Sequence, residues 1–228
     1  LMLGAADRIP NVMVTVAPEN TTPAQIKAMS DAGIVVSLGH TEADSATCHA
    51  AFDAGAKCVT HLFNAMTPMA SRAPGIIAAA LQDERAWCGI IVDGHHVHPA
   101  MLRLALRAKM GEQIFLVTDA MPSVGATDKA FSLGDMDIEV ANGKCVTSTG
   151  TLAGSDLDMM GAVRNARDLL NIPLEQAVRM ASRTPAHFLG LGEHLGEIKP
   201  GQRANFVWVD ETLGVVETWI DGQSNALQ

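Results

Sequence analysis

Five apolar runs in this chain end in a polar residue that can take part in catalysis. Three of them are IVVSLGH, which ends at His40, CVTH, which ends at His61, and IFLVTD, which ends at Asp119. A continuous run of Val, Ile and Leu without polar alternation is typical of a parallel strand whose two faces are both covered by helices. The runs therefore predict an α/β fold, with the polar residues placed where the strands leave the core.

Helical patterns separate these predicted strands, which we place near residues 12–17, 34–39, 57–61, 88–93 and 114–119. Helices are predicted over 22–32, 41–54, 99–109, 156–170 and 174–189. This alternation is typical of a (β/α)8 barrel of the TIM type, in which the carboxyl ends of all strands open onto one face. Such a barrel has eight strands. We therefore expect a truncated barrel with its last five strands, and expect the other three upstream of Leu1.

The character of the chain changes after Asp119. Gly-rich and polar segments over 134–154 predict a short β-hairpin whose turn is Asn142-Gly143. From Leu195 onward, short apolar stretches separated by Lys-Pro-Gly and Asp-Gly turns predict a small β element. We therefore expect two domains, an incomplete barrel over residues 1–192 and a small β domain over residues 193–228.

Composition excludes several classes of function. The chain has 228 residues, of which 48% are hydrophobic and 18% are charged, so it can bury a sizeable core. A formal net charge of −9 without a Lys/Arg cluster argues against a nucleic-acid partner. No apolar run reaches the ~18 residues of a membrane span. The cysteines form no CxxC pair, which predicts reduced core thiols in a cytoplasmic protein, at Cys48, Cys58, Cys88 and Cys145.

Several motifs resemble those of the N-acetylglucosamine-6-phosphate deacetylases, a family of the amidohydrolase superfamily. They are Gly39-His40, THLFNAM over 60–66, VDGHHV over 92–97, VTDA over 117–120 and GTLAGS over 150–155. THLFNAM followed by DGHHV is a specific combination, and the resemblance extends over essentially the whole chain. It implies that the small β element at residues 193–228 is part of the family's β-sandwich.

The resemblance implies metal-dependent hydrolysis of the acetamide of N-acetylglucosamine 6-phosphate. An unactivated acetamide is a poor electrophile, and a divalent metal ion, zinc or iron, supplies both a Lewis acid and a bound hydroxide. His40 and His61 are implied as metal ligands, and neutral imidazoles suit that role. Asp119 is implied as the residue that takes the proton from the attacking water and later delivers it to the departing nitrogen.

The same resemblance implies residues that bind a phosphorylated amino sugar. Arg72 matches a phosphate-binding arginine, and a guanidinium fork suits a phosphate dianion. Asn64 and Ala65 match substrate contacts. The remaining matches lie in the DGHH segment and in a loop that closes over the sugar: Asp93, Gly94, His95, His96, Leu152, Ala153 and Gly154. Within the DGHH segment the implied substrate contact is His96. His95, like His98, is expected to be structural or solvated.

Three other residues could be mistaken for site residues. Glu19 ends the first predicted strand, but the resemblance implies that the ligand glutamate comes from an earlier strand in a His-Leu-Glu-Gly-Pro context. Two histidines alone are expected to bind a metal ion weakly. His187 and His194 lie in and after the last predicted helix, away from the strand ends, and are predicted to be structural.

Two alternative functions stay open. Another amidohydrolase, such as a cyclic-amide hydrolase or a deaminase, would share the His and Asp positions, and Arg72 with the Asn64-Ala65 pair would distinguish it. An inactive fragment would be distinguished by its metal content. For the full-length enzyme we expect a homodimer or a larger homo-oligomer.

Overall fold

A computed structural model of the protein describes residues 2–226. Its helices are α1 (Met2–Ala6), α2 (Pro23–Asp31), α3 (Ser45–Asp53), α4 (Gly75–Gln82), α5 (Pro99–Ala108), α6 (Met159–Leu170), α7 (Leu174–Ala181) and α8 (Arg183–Phe188). Its strands are β1 (Met13–Val16), β2 (Val35–Leu38), β3 (Cys58–Val59), β4 (Trp87–Ile90), β5 (Ile114–Leu116), β6 (Phe131–Leu133), β7 (Met136–Ala141), β8 (Lys144–Thr147), β9 (Leu152–Ser155), β10 (Phe206–Val209), β11 (Val215–Ile220) and β12 (Gln223–Ala226).

The chain divides into two compact units. One comprises the residues up to 90 together with 100–115, and the other comprises 91–99 together with the residues from 116 onward. None of the helices in residues 2–226 is long and apolar enough to cross a membrane. The predicted boundary between residues 192 and 193 is a different division of the chain and stays a prediction.

Strands β1 to β5 form one sheet in sequence order, and β1 to β4 pair in parallel. Val36, Leu38 and Val59 are completely buried in this sheet. The prediction of an α/β fold with a parallel sheet is therefore confirmed. Within the described residues β1 lies at the edge, and its residue Met13 is exposed.

The helices of the first unit begin where their caps place them. The α2 helix follows a capping box in which Thr22 and Gln25 bond reciprocally. The α3 helix begins at Ser45 and not at residue 41, as predicted, because the Asp44 side chain accepts a hydrogen bond from the Thr47 amide and caps the first turn. The α4 helix was absent from the prediction.

The second unit contains a four-stranded antiparallel sheet, β6 to β9. The predicted hairpin turn is confirmed, since Asn142 and Gly143 connect β7 to β8 with positive φ angles of 53° and 77°. The prediction of a single hairpin was incomplete, because β6 and β9 extend the β7–β8 hairpin to a four-stranded sheet. The small β element is also present, as the antiparallel sheet β10 to β12.

The single helix predicted over 174–189 is wrong, because the chain breaks at Ser182 into α7 and α8. Ser182 has non-helical φ and ψ of −132° and −71°. Pro185 has no amide hydrogen to donate to a preceding turn. In the first turn of a new helix that missing donor has no consequence. The α6 helix likewise starts at Met159, after an Asp158 cap, and not at residue 156.

All four cysteines are buried and free, which confirms the prediction of core thiols. Burial raises the pKa of Cys58 and of Cys88 to about 12. A thiol with such a pKa is protonated at neutral pH and is a poor nucleophile and metal ligand.

Candidate active site

His40 and His61 follow adjacent parallel strands, each two residues after the strand end. The Nε2 atoms of the two rings lie 2.9 Å apart, and the ring centroids are separated by 4.8 Å. His61 is 7% exposed, whereas His40 is exposed. The structure thus brings the two predicted metal ligands together, with the same ring nitrogen of each facing the other.

The two histidines and Asp119 share an uncommon backbone conformation. Their φ angles are 50° at His40, 33° at His61 and 53° at Asp119. A side chain with a Cβ atom adopts this left-handed region at an energetic cost of about 1–3 kcal/mol, and such residues are found in turns and are enriched at active sites. The three residues that the sequence singled out are therefore also the points at which β2, β3 and β5 are followed by strained turns.

Hydroxyl groups connect the strands next to the histidines. The Oγ1 atom of Thr60 lies 2.8 Å from Thr15 Oγ1 and 2.7 Å from Ser37 Oγ, so one contact chain crosses β1, β2 and the end of β3. Gly39 lies against this chain, since a Cβ atom there would stand 3.0 Å from Thr15 Cγ2 and 3.1 Å from Thr60 Cβ. The residue before His40 therefore has to be small.

A cleft opens beside His40. Backbone pairing of Thr41 with Met66 joins the two loops that follow β2 and β3, and the Thr41 amide donates to the Ala65 carbonyl at 3.1 Å. Only His40 and Ala65 of its lining were predicted to be site residues. The other five residues lie close to these two in the sequence. The lining consists of His40, Thr41, Glu42, Ala65, Met66, Thr67 and Pro68.

The predicted substrate residue Asn64 lies in the loop after His61. Its Nδ2 donates to the His61 carbonyl at 3.0 Å, and its backbone amide donates to the same oxygen at 2.9 Å. The next residue, Ala65, has a left-handed φ of 48°. The side chain of Asn64 thus links the turn that carries both residues to the backbone of His61.

Glu19 stabilises the loop that begins at His40. Its carboxylate accepts hydrogen bonds from the Thr41 hydroxyl and from the Glu42 amide, the latter at 2.9 Å. Partial burial acts to raise the pKa of Glu19, but these hydrogen bonds outweigh it and lower the pKa below its usual value. Glu19 is not a predicted metal ligand, and its contacts give it a role in supporting this loop.

Arg72 lies at the tip of a tight turn. Ala70 and Ala73 exchange two backbone hydrogen bonds of 3.1 and 3.2 Å, which leaves Ser71 and Arg72 exposed between them. No carboxylate pairs with the Arg72 guanidinium within residues 2–226. Its donors are therefore available to an anion from solution.

In the second unit, the DGHH segment is organised by Asp93. One carboxylate oxygen accepts from the amides of His95 and His96 at 2.8 and 2.9 Å, and the other lies 2.6 Å from His96 Nδ1. The side chains of Asp93 and His96 are only 4% and 6% exposed. Burial acts to raise the pKa of Asp93, but the hydrogen bonds from the His96 ring and the two amides outweigh it and hold the pKa at about 2.

Asp93 is therefore expected to stabilise the fold in a pH-dependent way. A carboxyl whose pKa falls from 3.8 to about 2 on folding contributes about 2 kcal/mol above pH 4. That contribution is lost as the pH falls from about 4 to about 2. Urea unfolding of wild type and Asp93→Asn between pH 6 and pH 2.5 should show a stability difference that shrinks toward the acid end. A constant difference would contradict this assignment.

His95 does not face the same partner as His96. Its Nε2 lies 3.1 Å from the Asn142 carbonyl at the turn between β7 and β8. A Cβ atom on Gly143 would stand 3.6 Å from the same Nε2 atom. Gly94, between Asp93 and His95, has a φ of 79°. His95 therefore contacts a hairpin, and its role stays a prediction.

Asp119 is exposed and lies in the second unit, as do Leu152, Ala153 and Gly154 of β9. Backbone pairing of Ala120 with Ser155 joins the two segments. The histidine pair belongs to the first unit. The convergence of Asp119 with the two histidines stays a prediction.

The histidine pair suits a divalent metal ion. Two imidazole nitrogens 2.9 Å apart at neighbouring strand ends can bind one ion together, and imidazole is a common ligand of zinc and iron. Within residues 2–226 no group of three or more His, Cys, Asp and Glu side chains could hold an ion. The described residues thus supply two nitrogen ligands.

A parallel α/β sheet with a histidine pair at its strand ends defines a candidate metal-dependent hydrolase. The model of the amidohydrolase family matches residues 6–224 of this chain. The chain therefore belongs to the amidohydrolase family, whose members generally depend on divalent metal ions.

The names of individual relatives are more specific than the family. The chain is 44% identical over 211 residues to an N-acetylgalactosamine-6-phosphate deacetylase of Shewanella sp. (strain ANA-3), and 40% identical over 211 residues to an N-acetylglucosamine-6-phosphate deacetylase of Vibrio furnissii. Each alignment covers 92% of this chain and 53% of the relative. The chain thus spans about half the length of these curated relatives.

A solved structure agrees with this assignment. The crystal structure of N-acetylglucosamine-6-phosphate deacetylase from Pasteurella multocida matches with a TM-score of 0.94 and 36% identity. The match covers 99% of this chain and 59% of that protein. The described fold is therefore similar to that of a deacetylase over nearly all of this chain.

Proposed function

We propose that the protein hydrolyses the acetamide of N-acetylglucosamine 6-phosphate to glucosamine 6-phosphate and acetate. The observation that carries this proposal is the His40–His61 pair, with its Nε2 atoms 2.9 Å apart at adjacent strand ends. The names of the relatives in Vibrio furnissii and Pasteurella multocida support the substrate. In the proposed architecture the five strands of the first sheet belong to a (β/α)8 barrel over 1–192, and β10 to β12 belong to a small β-sandwich domain over 193–228.

In this proposal His40 and His61 hold a divalent ion, zinc or iron. When bound, the ion supplies Lewis acidity for the acetamide carbonyl and lowers the pKa of a coordinated water. The Asp119 carboxylate accepts a proton from the attacking water as the new carbon–oxygen bond forms. It then delivers that proton to the glucosamine nitrogen as the carbon–nitrogen bond breaks, and acetate leaves.

Other residues of the chain bind the sugar phosphate. The guanidinium of Arg72, exposed at the tip of its turn, suits the dianionic phosphate. The turn formed by Asn64 and Ala65 lies directly after His61 and can contact the acetamido sugar. His96, oriented by Asp93, and the residues Leu152 to Gly154 contribute the remaining contacts in this proposal.

The C4 epimer is a second candidate substrate. The Shewanella relative acts on N-acetylgalactosamine 6-phosphate, according to its name, and it is more similar to this chain than the Vibrio relative, at 44% against 40% identity. The two sugars differ only in the orientation of one hydroxyl group, and the same acetamide chemistry serves both.

Acetate release tests the proposal and separates the candidates. The protein is expressed from its complete coding sequence and assayed with both epimers, with an unphosphorylated N-acetylhexosamine, and with a cyclic amide. We expect the largest kcat/KM for a 6-phosphorylated N-acetylhexosamine. Preference for the cyclic amide, or release of ammonia in place of acetate, would assign the protein to another amidohydrolase activity.

A further inference from the structure

Ser155 directs every one of its polar groups toward the segment that carries Asp119 or toward the end of its own strand. Its Oγ donates to the Thr118 carbonyl at 2.5 Å, and its amide donates to the Asp119 carbonyl at 2.9 Å. Its own carbonyl accepts from the Met121 amide at 2.9 Å, and its Oγ accepts from the Leu157 amide at 3.1 Å. The residue is completely buried. Ser155 therefore holds the backbone on both sides of Asp119.

The backbone of Asp119 needs such support. Its φ of 53° lies in the left-handed region, and its side chain is exposed, so side-chain packing contributes little to holding it. A strained conformation persists only where its surroundings determine it. The carbonyls of residues 118 and 119 are both hydrogen-bonded by Ser155, which supplies that determination.

Gly154 brings β9 still closer to the same segment. A Cβ atom at this position would stand 2.5 Å from Met121 Cγ and 2.9 Å from the Asp119 carbonyl oxygen. Gly154 also has a φ of 77°. The strand can therefore approach Asp119 only because residue 154 is glycine, and a displacement of β9 has to displace Asp119 as well.

We propose that Ser155 is a positioning residue that couples the substrate-contacting strand segment Leu152 to Gly154 to the proposed base Asp119. Contacts of the sugar with residues 152–154 then affect the position of the Asp119 carboxylate through the hydrogen bonds that Ser155 makes to the Thr118 and Asp119 carbonyls. The inference rests on the proposed function, because it takes Asp119 as the base and residues 152–154 as substrate contacts.

Ser123 offers a matched control. It is also a buried serine of the second unit, at 1% exposed, but its Oγ lies 3.6 Å from Cys145 Sγ and, within residues 2–226, forms no hydrogen bond to residues 118–121. The variants Ser155→Ala and Ser123→Ala each remove one buried hydroxyl. A general loss of packing would affect both alike, whereas a positioning role affects only the first.

The experiment measures kcat and KM for acetate release, thermal unfolding, and deuterium exchange over residues 116–122 in both variants. For Ser155→Ala we expect kcat to fall about tenfold with KM changed less than about threefold, because misplacement of a catalytic group mainly affects the chemical step. Exchange over residues 116–122 should be faster. For Ser123→Ala we expect kcat within about twofold of wild type and unchanged exchange over that segment.

A Ser155→Cys variant keeps a side chain of similar size and a weak hydrogen-bond donor. It tests the positioning role of Ser155 if Ser155→Ala does not fold. Its kcat should lie between those of wild type and Ser155→Ala. Wild-type kcat in folded Ser155→Ala or Ser155→Cys, or an equal loss of kcat in Ser123→Ala, would overturn the inference. If wild type releases no acetate, the proposed function has failed, and unchanged exchange over residues 116–122 would independently refute the coupling.

Discussion

Replacement of Asp119 by asparagine is expected to lower kcat for acetate release at least ~100-fold, with metal content nearly unchanged. The amide keeps the shape of the side chain but cannot accept a proton from the attacking water. The backbone at residue 119 is held by Ser155 through the main chain, at 2.9 Å, so the substitution leaves that hydrogen bond in place. The loss should therefore reflect proton transfer and not a displaced loop.

Asp128→Asn is the matched control for this experiment. Asp128 is another exposed aspartate of the second unit, and its carboxylate accepts a hydrogen bond from the Ala130 amide at 3.1 Å. We expect its replacement to leave kcat within about twofold of wild type. Near-normal turnover in metal-replete Asp119→Asn protein would show that another residue is the base.

Replacement of Arg72 by alanine is expected to lower kcat/KM for the phosphorylated sugar about thirtyfold or more. Charge-assisted bidentate contacts to a phosphate contribute on the order of 2–4 kcal/mol when they are partly desolvated. The unphosphorylated sugar lacks the partner of the guanidinium, so its kcat/KM should change little. Arg72→Lys keeps the charge without the fork and should fall between wild type and alanine.

Arg107, an exposed arginine of the first unit in the last turn of α5, is the control position. Arg107→Ala should leave the preference for the phosphorylated sugar unchanged. Equal losses on both sugars in Arg72→Ala would show that Arg72 does not bind the phosphate.

The sequence was sufficient to predict the strands of the first sheet, but not their ends: β3, β4 and β5 end at Val59, Ile90 and Leu116, two to three residues before the predicted ends. Uninterrupted runs such as IVVSL need helices on both faces, and the structure buries Val36 and Leu38 completely. The meeting of His40 and His61 followed from the same argument, since the carboxyl ends of neighbouring parallel strands lie side by side.

Other features are not visible in a one-dimensional pattern. Helix α4 reads GIIAAALQ and is buried on nearly all sides, so it has no polar face and no helical period to detect. The start of α3 depends on a side-chain cap at Asp44 that competes with other helix-compatible starts. The break at Ser182 was missed because the apolar period continues across it.

The support of the site was also beyond the sequence. Ser155 bonds the carbonyl of Thr118, which lies 37 residues away along the chain. Gly39, next to His40, is likewise enclosed by Thr15 and Thr60, which are distant from it in the sequence. Residue types at strand ends identify candidate functional side chains, but the contacts that hold those side chains are visible only in the fold.

The central claim is that His40 and His61 hold a divalent ion on which deacetylation depends. It is tested most directly by elemental analysis and acetate release measured on the same samples of protein expressed from its complete coding sequence. Wild type and the control His49→Ala, whose partly exposed ring lies near Asp83, should contain stoichiometric zinc or iron and lose acetate release on chelation. Adding the metal back should restore it, and His40→Ala and His61→Ala should lack both metal and activity. Full acetate release from metal-free protein, or wild-type metal content in both histidine variants, would contradict the account.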